Sequence, residues 1–318
     1  MSSPVRLVGD RYELAEVVGR GGHSVVYRGV DRHGGGQVAI KVLIDRVAGD
    51  PEFGVRLVRE QRAASALEGT AAVRVHGVAS TTEGALCLVM ELLTGLDLDD
   101  HLAVLERDGR RMSVEAVVEC LTPIVETLER AHALGIVHRD LKPGNVFLLD
   151  EGAGGGVRLL DFGLAKVPSA RPLTRDGVIL GSPSYIAPEV WRGNLSAADH
   201  RVDAYSLAAI VFRALGGRVP FEAPTPREKL ELVTKAPRPS LHALRPDLPP
   251  DIDRWVAQAL AIDPDSRFYR VRAMWGALLA ALGWASETAA PRRTGADGGR
   301  RASWDAAARS FAQGRWKG

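Results

Sequence analysis

Cysteine is scarce in this chain of 318 residues, which contains two. Cys87 and Cys120 lie far apart in the sequence, and each falls inside an apolar run. This pattern argues against a disulfide framework and against a cysteine-based metal site. It fits a protein of the reducing cytoplasm, which is the location that we predict.

Long apolar runs are also missing. The longest, around 204–217 and 271–284, are interrupted by Arg213 and Arg272. Neither reaches the ~20 residues that a bilayer-spanning helix needs. Residues 1–6 contain no signal-peptide core. We therefore expect a soluble protein, unless the chain is a piece of a longer, membrane-anchored one.

An excess of one charge is absent as well. The formal net charge is +2, so the sequence gives no reason to expect nucleic acid as a partner. The hydrophobic content of 46% and the charged content of 25% are ordinary globular values. No internal repeat is present, and the length is sufficient for two lobes with substantial cores.

The first 90 residues show strand-like patterns that one helix interrupts. Strands are predicted at 14–18, 24–28, 37–43, 73–78 and 85–90. Asp50-Pro51-Glu52 is a helix start signal, because a capping residue precedes a proline and then an acid near the positive end of the helix dipole. This helix is predicted to run to about Leu67.

Helices dominate from Ser113 onward. Ser113 is predicted to cap a helix that ends near Gly135. Its apolar positions recur at helical spacing: Val117, Leu121, Val125 and Leu128. Pro123 lies inside this helix and predicts either a kink or a later start. Short strands are predicted to flank the segments at 138–145 and 161–163. Further helices are predicted at 202–215, 251–261 and 271–282.

The composition changes after Gly283. Residues 284–318 include seven Lys or Arg, three acids, several glycines and one proline. This composition predicts a disordered basic tail.

Two short strings carry the strongest chemical signal. One is His-Arg-Asp-Leu-Lys-Pro-Gly-Asn at 138–145, and the other is Asp-Phe-Gly at 161–163. Together they contain an Asp that can orient and deprotonate a hydroxyl, a Lys that can neutralise a phosphoryl group, and an Asn and an Asp that can hold Mg²⁺. Either string alone would be a weak signal, but both in this order indicate phosphoryl transfer.

Three further motifs accompany these strings: a glycine-rich loop at 19–26, Val-Ala-Ile-Lys at 38–41 and Ala-Pro-Glu at 187–189. With these motifs, residues from about Arg11 to about Gly283 resemble a eukaryotic-type (Hanks-type) Ser/Thr protein kinase of the bacterial branch. The resemblance implies a bilobal α+β kinase fold that uses ATP and Mg²⁺. It also implies transfer of the γ-phosphoryl group of ATP to Ser or Thr hydroxyls of proteins, with autophosphorylation, in signalling.

By this resemblance Asp140 is the catalytic base and Lys142 neutralises the phosphoryl group in transfer. Asn145 and Asp161 are the implied Mg²⁺ ligands. Lys142 also favours the Ser/Thr class, because tyrosine kinases usually carry Ala or Arg near this place. Residues 181–185 resemble the docking loop of Ser/Thr kinases, which agrees with that assignment.

Lys41 is expected to pair with the α- and β-phosphates of ATP and to be held by Glu60. The alternative for Glu60 is a solvated charge on a helix face, which is how we interpret Glu52 and Glu68. Its spacing from Lys41 and its apolar neighbours, among them Val58, favour the functional role.

The resemblance implies a nucleotide site built from several segments. Without Lys41, the glycine-rich loop would more readily be read as a hairpin turn. The loop residues expected at the phosphates are Gly19, Arg20, Gly21 and Gly22, whereas the third glycine of the family is Ser24 here. The side chains expected around the purine are Val26, Ala39 and Phe147. The expected gatekeeper is Met90, the hinge residues are Glu91 and Leu93, and the ribose-contacting acid is Asp97.

Other residues have implied scaffold or regulatory roles. Glu189 and Arg267 are expected to form a buried ion pair, and Asp203 to anchor the catalytic loop. Thr174 is a predicted autophosphorylation site, whose phosphate would pair with Arg139. The alternative is an ordinary loop threonine.

The predicted organisation is an N-terminal extension at 1–10, a kinase domain at 11–283 and the basic tail at 284–318. Within the domain, the N-lobe covers about 11–92 and the C-lobe about 93–283. The alternative function is a pseudokinase or a nucleotide-binding scaffold without transfer. A small-molecule phosphotransferase is disfavoured because such enzymes lack an activation segment ending in Ala-Pro-Glu. The protein substrate, the activating signal and homodimer formation stay open.

Overall fold

The computed structural model describes residues 7–21, 24–43, 51–162, 183–193 and 198–284, with only the backbone of 51–54, 56, 57, 59 and 60. The strands are β1 (Leu7–Val8), β2 (Tyr12–Arg20), β3 (Ser24–Asp31), β4 (Gln37–Leu43), β5 (Val75–Ser80), β6 (Leu86–Glu91), β7 (Gly95–Asp97), β8 (Val146–Leu149) and β9 (Val157–Leu159). The helices are α1 (Pro51–Ala66), α2 (Leu98–Arg107), α3 (Val114–Ala133), α4 (Pro188–Trp191), α5 (Arg201–Gly216), α6 (Pro226–Lys235), α7 (Ile252–Ala259) and α8 (Val271–Ala281).

The chain forms two compact units. Among the described residues, 7–101 and 126–162 belong to the first unit, and 102–125 and 183–284 belong to the second. The first unit contains both β-sheets and α1, and the second contains α4 to α8.

The first unit contains a six-stranded antiparallel sheet in the order β1-β2-β3-β4-β6-β5. A smaller antiparallel sheet has the order β7-β8-β9. The five strands predicted from residue 14 to residue 90 are present with slightly different ends. Two strands that the sequence patterns did not reveal are β1 and β7, which are only two and three residues long.

The alternation of side chains along β4 places a lysine on the inner face of the large sheet. Val38 and Ile40 belong to one buried cluster, whereas Ala39 belongs to another, together with Val26 and Met90. Because successive side chains of a strand point to opposite faces, Lys41 lies on the same face as Ala39.

Helix α3 begins and ends where the sequence signals predict. The Ser113 hydroxyl accepts a hydrogen bond from the Ala116 N–H at 3.1 Å, which satisfies one exposed donor of the first turn. Gly135, with φ of 74°, follows the helix end. The helix starts at Val114 and continues through Pro123, so the later start considered for it is wrong. The kink stays a prediction.

Helix α5 forms the core of the second unit. Leu207–Phe212 are all at most 1% exposed, which is typical of a helix surrounded by protein. Trp255 of α7 donates from Nε1 to the Met274 carbonyl of α8 at 2.9 Å. Three helices were missed by the sequence analysis: α2, α4 and α6. The start signal of α6 was available, because the Thr225 hydroxyl caps it and Pro226 is its first residue.

The expected ion pair between Glu189 and Arg267 is confirmed. Two nearly parallel contacts join the guanidinium to the carboxylate, at 2.9 Å and 2.6 Å. The two side chains are 6% and 0% exposed. The Arg267 Nε also donates to the Ala261 carbonyl at 2.8 Å, and the guanidinium lies over the Tyr205 ring. Both charges are therefore buried and paired.

Replacing Arg267 by Met should lower the free energy of unfolding by about 3–5 kcal/mol, because it leaves the Glu189 carboxylate buried without its partner. Urea unfolding followed by circular dichroism measures the change. The matched control is Arg254→Met, which removes an exposed pair with Asp251 on the same unit. That change should cost less than about 1 kcal/mol. Equal losses in the two variants would contradict the prediction.

The two cysteines lie inside the protein as thiols. Both cysteines are buried and free of disulfides. Burial raises the pKa of the Cys87 and Cys120 thiols to about 12.

Within the described ranges, no helix is both long and apolar enough to cross a bilayer.

Candidate active site

The segment after α3 is held in place by a buried histidine. His138 is 0% exposed, and its Nδ1 accepts a hydrogen bond from the Asp140 N–H at 3.3 Å. This contact assigns the ring proton to Nε2, which lies 3.0 Å from the Leu160 carbonyl and donates to it. The His138 ring also packs against Phe162 at a centroid distance of 5.0 Å. One side chain thus joins the segment at 138–145 to the segment at 160–162.

Asp140, Lys142 and Asn145 converge within this segment. The Lys142 Nζ lies 3.3 Å from Asp140 Oδ2. The Asn145 amide nitrogen donates to the Asp140 carbonyl at 2.8 Å and lies 3.5 Å from Asp140 Oδ2. Asn145 is 1% exposed, whereas the Asp140 side chain is 17% exposed. The buried amide therefore holds the main chain of Asp140, and the solvent-accessible Asp140 carboxylate lies beside this amide and the Lys142 ammonium group.

Asp161 and Lys41 form the second part of the site. The Lys41 Nζ donates to Asp161 Oδ1 at 2.7 Å. Burial by itself raises the pKa of Asp161, but the charge and hydrogen bond of Lys41 outweigh it, and Lys142 and His138 add to the lowering. The net direction is down, so Asp161 is a carboxylate at neutral pH.

The backbone is strained at two site residues. Arg139 has φ of 62° and Asp161 has φ of 47°. In the part of the chain that the structure describes, these are the two non-glycine residues with positive φ. Such conformations cost about 1–3 kcal/mol each and persist where surrounding contacts enforce them. Arg139 directly precedes the expected catalytic base, and Asp161 is itself an expected Mg²⁺ ligand.

The donor set at Asn145 and Asp161 fits Mg²⁺. Since the Asn145 nitrogen is used by the Asp140 carbonyl, its Oδ1 atom is the group left for a metal. A carboxylate oxygen and an amide oxygen are the hard ligands that Mg²⁺ prefers. The described residues contain no group of three or more His, Cys, Asp or Glu that could hold a metal. Two protein ligands agree with a metal that is held jointly with phosphate oxygens.

The predicted purine-binding residues share one buried cluster. Val26, Ala39, Met90, Leu93 and Phe147 all belong to it. Within the described residues, the backbone N–H and C=O of Leu93 have no hydrogen-bond partner, although Leu93 is buried. Buried backbone groups rarely stay unpaired, so these two groups are suited to a ligand.

The predicted hinge residue Glu91 is braced by two other segments, which the sequence analysis did not anticipate. Its N–H donates to the Arg74 carbonyl at 2.9 Å. Its carboxylate accepts from the Arg74 N–H at 2.8 Å and from the Arg158 Nε at 3.1 Å. The Glu91 side chain and N–H are therefore occupied by the protein, so the expected hydrogen bond from this residue to adenine would use its backbone carbonyl.

Gly95 shows why the chain after this hinge carries a glycine. Its φ is 142°, and a Cβ atom there would lie 1.9 Å from the Leu148 carbonyl oxygen. No side chain fits between β7 and β8 at this point.

Asp97 has a local role in the structure. It is 3% exposed, and its Oδ1 accepts a hydrogen bond from the Asp100 N–H at 2.8 Å. This contact caps the first turn of α2. The ribose contact expected of Asp97 stays a prediction.

The glycine-rich segment covers the end of β2 and the start of β3. Gly19 pairs with Val26 and Arg20 with Val25 across the two strands. The Gly21 N–H donates to the Ser24 carbonyl at 2.8 Å, and Ser24 is buried. Gly22 lies outside the described residues.

Other predicted residues are placed only partly. Glu60 lies in α1, but its side chain is outside the described part, so the Lys41–Glu60 pair stays a prediction. Thr174 lies outside the described residues. Arg139, its expected partner, is described and is exposed to solvent. Asp203 is 0% exposed in the first turn of α5, and its anchoring role stays a prediction.

The fold and the site together define a protein kinase. A family profile described as the protein kinase domain matches residues 12–274. The chain belongs to this family.

The relatives define the branch. The Ser/Thr-protein kinase PknL of Mycobacterium tuberculosis is 38% identical over 286 residues, which cover 90% of this chain and 68% of PknL. PknA of the same organism is 36% identical over 262 residues, or 81% of this chain and 58% of PknA. The crystal structure of the M. tuberculosis PknI kinase domain matches with a TM-score of 0.67 and 28% identity, over 88% of this chain and all of that one.

These findings confirm the predicted class, fold and activity. The chain is a bacterial Hanks-type Ser/Thr protein kinase, with a β-sheet N-lobe and a helical C-lobe. Nothing in the comparisons favours a pseudokinase. The family uses ATP and Mg²⁺ in general.

Proposed function

We propose that this chain transfers the γ-phosphoryl group of ATP to protein hydroxyls through Asp140, Lys142, Asn145, Asp161 and Lys41. The observation that supports the assignment is the Asp140 carboxylate, which lies 3.3 Å from the Lys142 ammonium and beside the buried Asn145, whose amide holds the Asp140 main chain. Positioning and charge neutralisation are the main requirements of this reaction.

Asp140 accepts the proton of a Ser or Thr hydroxyl. The hydroxyl oxygen forms a bond to the γ-phosphorus, and the bond from that phosphorus to the β–γ bridging oxygen breaks, so that ADP leaves. Lys142 offsets the negative charge of the group in transfer. Asn145 and Asp161 would hold Mg²⁺, which when bound neutralises phosphate charge. Lys41 orients the α- and β-phosphates.

The adenine is proposed to lie between Val26, Ala39 and Phe147, with Met90 as gatekeeper. Backbone groups of Glu91 and Leu93 supply its hydrogen bonds. The unpartnered N–H and C=O of Leu93 among the described residues support this assignment. Gly19, Arg20, Gly21 and Gly22 are proposed to approach the phosphates.

Incubation of the protein with Mg·ATP and a generic protein acceptor, followed by phosphosite mapping, tests the proposal. Phosphoserine and phosphothreonine on the acceptor or on the kinase are the expected products. A protein that binds ATP but yields neither would be a pseudokinase instead.

Thr174 is proposed as an activating autophosphorylation site. A phosphate would add about −1.5 to −2 charges, which the exposed Arg139 can meet through charge-assisted hydrogen bonds. Thr174→Ala should lower the transfer rate on the order of 10-fold, the value of one such bond, and leave ATP affinity unchanged. Arg139→Ala should have the same effect. An unmodified Thr174 in fully active enzyme would contradict this role.

The wider organisation is also proposed. The kinase domain covers 11–283 with lobes at 11–92 and 93–283, between an extension at 1–10 and a basic tail at 284–318. Two buried free thiols support a reducing, cytoplasmic location. Homodimer formation stays open.

A further inference from the structure

Lys229 is a buried lysine whose hydrogen-bond partners among the described residues are uncharged groups. It lies in α6 and is 8% exposed. Its Nζ donates to the Ser184 hydroxyl at 2.9 Å and to the Phe221 carbonyl at 2.8 Å. Among the described residues, no carboxylate pairs with it at salt-bridge distance. Burial lowers its pKa, against the smaller opposing effect of Glu222.

A buried ammonium group with neutral partners costs free energy, since most of its hydration is lost. Lys235, at the end of the same helix, shows the ordinary arrangement, with a side chain that is 74% exposed and a carboxylate partner at 3.9 Å. Because burying the Lys229 ammonium group costs free energy, we infer that its contacts have a role besides stabilising α6.

The partner Ser184 belongs to a short turn, Pro183–Tyr185, directly before Ala-Pro-Glu. The neighbouring Tyr185 is held from α5 at both ends. Its carbonyl accepts from the Ser206 hydroxyl at 2.7 Å, and its own hydroxyl accepts from Arg213 at 2.9 Å. Among the described residues, the Ser184 hydroxyl accepts from one charged group, the Lys229 ammonium, so Lys229 is suited to set the position of this side of the turn.

We propose that Lys229 is a positioning residue for the protein substrate, because it fixes the turn at 183–185. This inference rests on the proposed function and on the resemblance of residues 181–185 to the docking loop of Ser/Thr kinases. Lys229 touches neither the acceptor hydroxyl nor ATP. Its loss should therefore weaken the binding of the protein acceptor and leave the chemical step intact.

Lys229→Met keeps the length of the side chain and removes the donor. The KM for a protein acceptor should rise about 10-fold, the value of one hydrogen bond from a charged group, while kcat and the KM for ATP stay within about 2-fold. Lys235→Met is the matched control and should leave all three unchanged. Ser184→Ala removes the same contact from the acceptor side and leaves the Lys229 side chain in place, so it keeps the test valid if Lys229→Met folds poorly.

A double-mutant cycle distinguishes positioning from general stability. If Lys229 acts through Ser184, the double variant should have the same acceptor KM as Lys229→Met alone. Equal changes in kcat and both KM values, or an acceptor KM like that of the wild type in both single variants, would overturn the inference. Absence of transfer by the wild-type protein would instead overturn the proposed function.

Discussion

The Asp140→Asn variant is expected to bind ATP as the wild type does and to transfer phosphate about 10²–10⁴-fold more slowly. The amide keeps the size of the side chain but cannot accept the proton of the attacking hydroxyl. The hydrogen bond from the Asn145 side-chain amide to the Asp140 carbonyl does not depend on the carboxylate, so the segment should keep its conformation. Fluorescent-nucleotide affinity and phosphate incorporation are the two measurements.

The matched control for this prediction is Asp108→Asn, which changes an exposed aspartate after α2. It should leave both affinity and transfer unchanged. Transfer at the wild-type rate by Asp140→Asn would remove the general base from the mechanism. A parallel loss of nucleotide affinity would mean that the substitution disturbed the fold of the site.

The Asp161→Ala variant is expected to lose Mg²⁺-dependent transfer, by about 10²–10³-fold or more. The change removes the carboxylate of the proposed metal site and also the partner of Lys41 at 2.7 Å. A direct readout besides activity is the effect of Mg²⁺ on nucleotide affinity. This effect should be strong in the wild type and weak in the variant.

Lys41→Met distinguishes the two consequences of losing Asp161. It should damage turnover while nucleotide affinity keeps its response to Mg²⁺, since Asn145 and Asp161 stay in place. Glu60→Gln should also lower turnover if Glu60 holds Lys41. Its control is Glu68→Gln, whose side chain is 69% exposed. If Glu60→Gln left turnover unchanged while Glu68→Gln lowered it strongly, Glu60 would not be the residue that holds Lys41.

Local patterns predicted most of the elements that carry the site. Ser113, the apolar positions after it and Gly135 defined α3, because caps and helical periodicity depend on residues within a few positions of one another. The alternation in β4 likewise determined that Lys41 shares a face with Ala39. Short elements such as β7 and α4 escaped detection, since three or four residues contain too little periodicity.

Sequence motifs named the reactive groups, but they did not show how those groups are held. The bond from His138 to the Leu160 carbonyl, the support of Glu91 by Arg158 and the capping of α2 by Asp97 were not anticipated. The first two join residues far apart along the chain, and only the folded backbone brings them within hydrogen-bond distance. The third joins residues only three positions apart. Because the resemblance assigned Asp97 to a ribose contact, the sequence analysis did not consider it as a helix cap.

The sequence by itself determined the family and the main helices and strands and predicted the reactive residues, because motif spacing and periodicity are local properties of a chain. Tertiary structure alone decided which charges are buried and which groups meet. Lys229 and Lys235 are two lysines of one helix, yet one is 8% exposed with uncharged partners and the other has a side chain that is 74% exposed. No local pattern distinguishes them, since burial depends on the segments that pack against the helix.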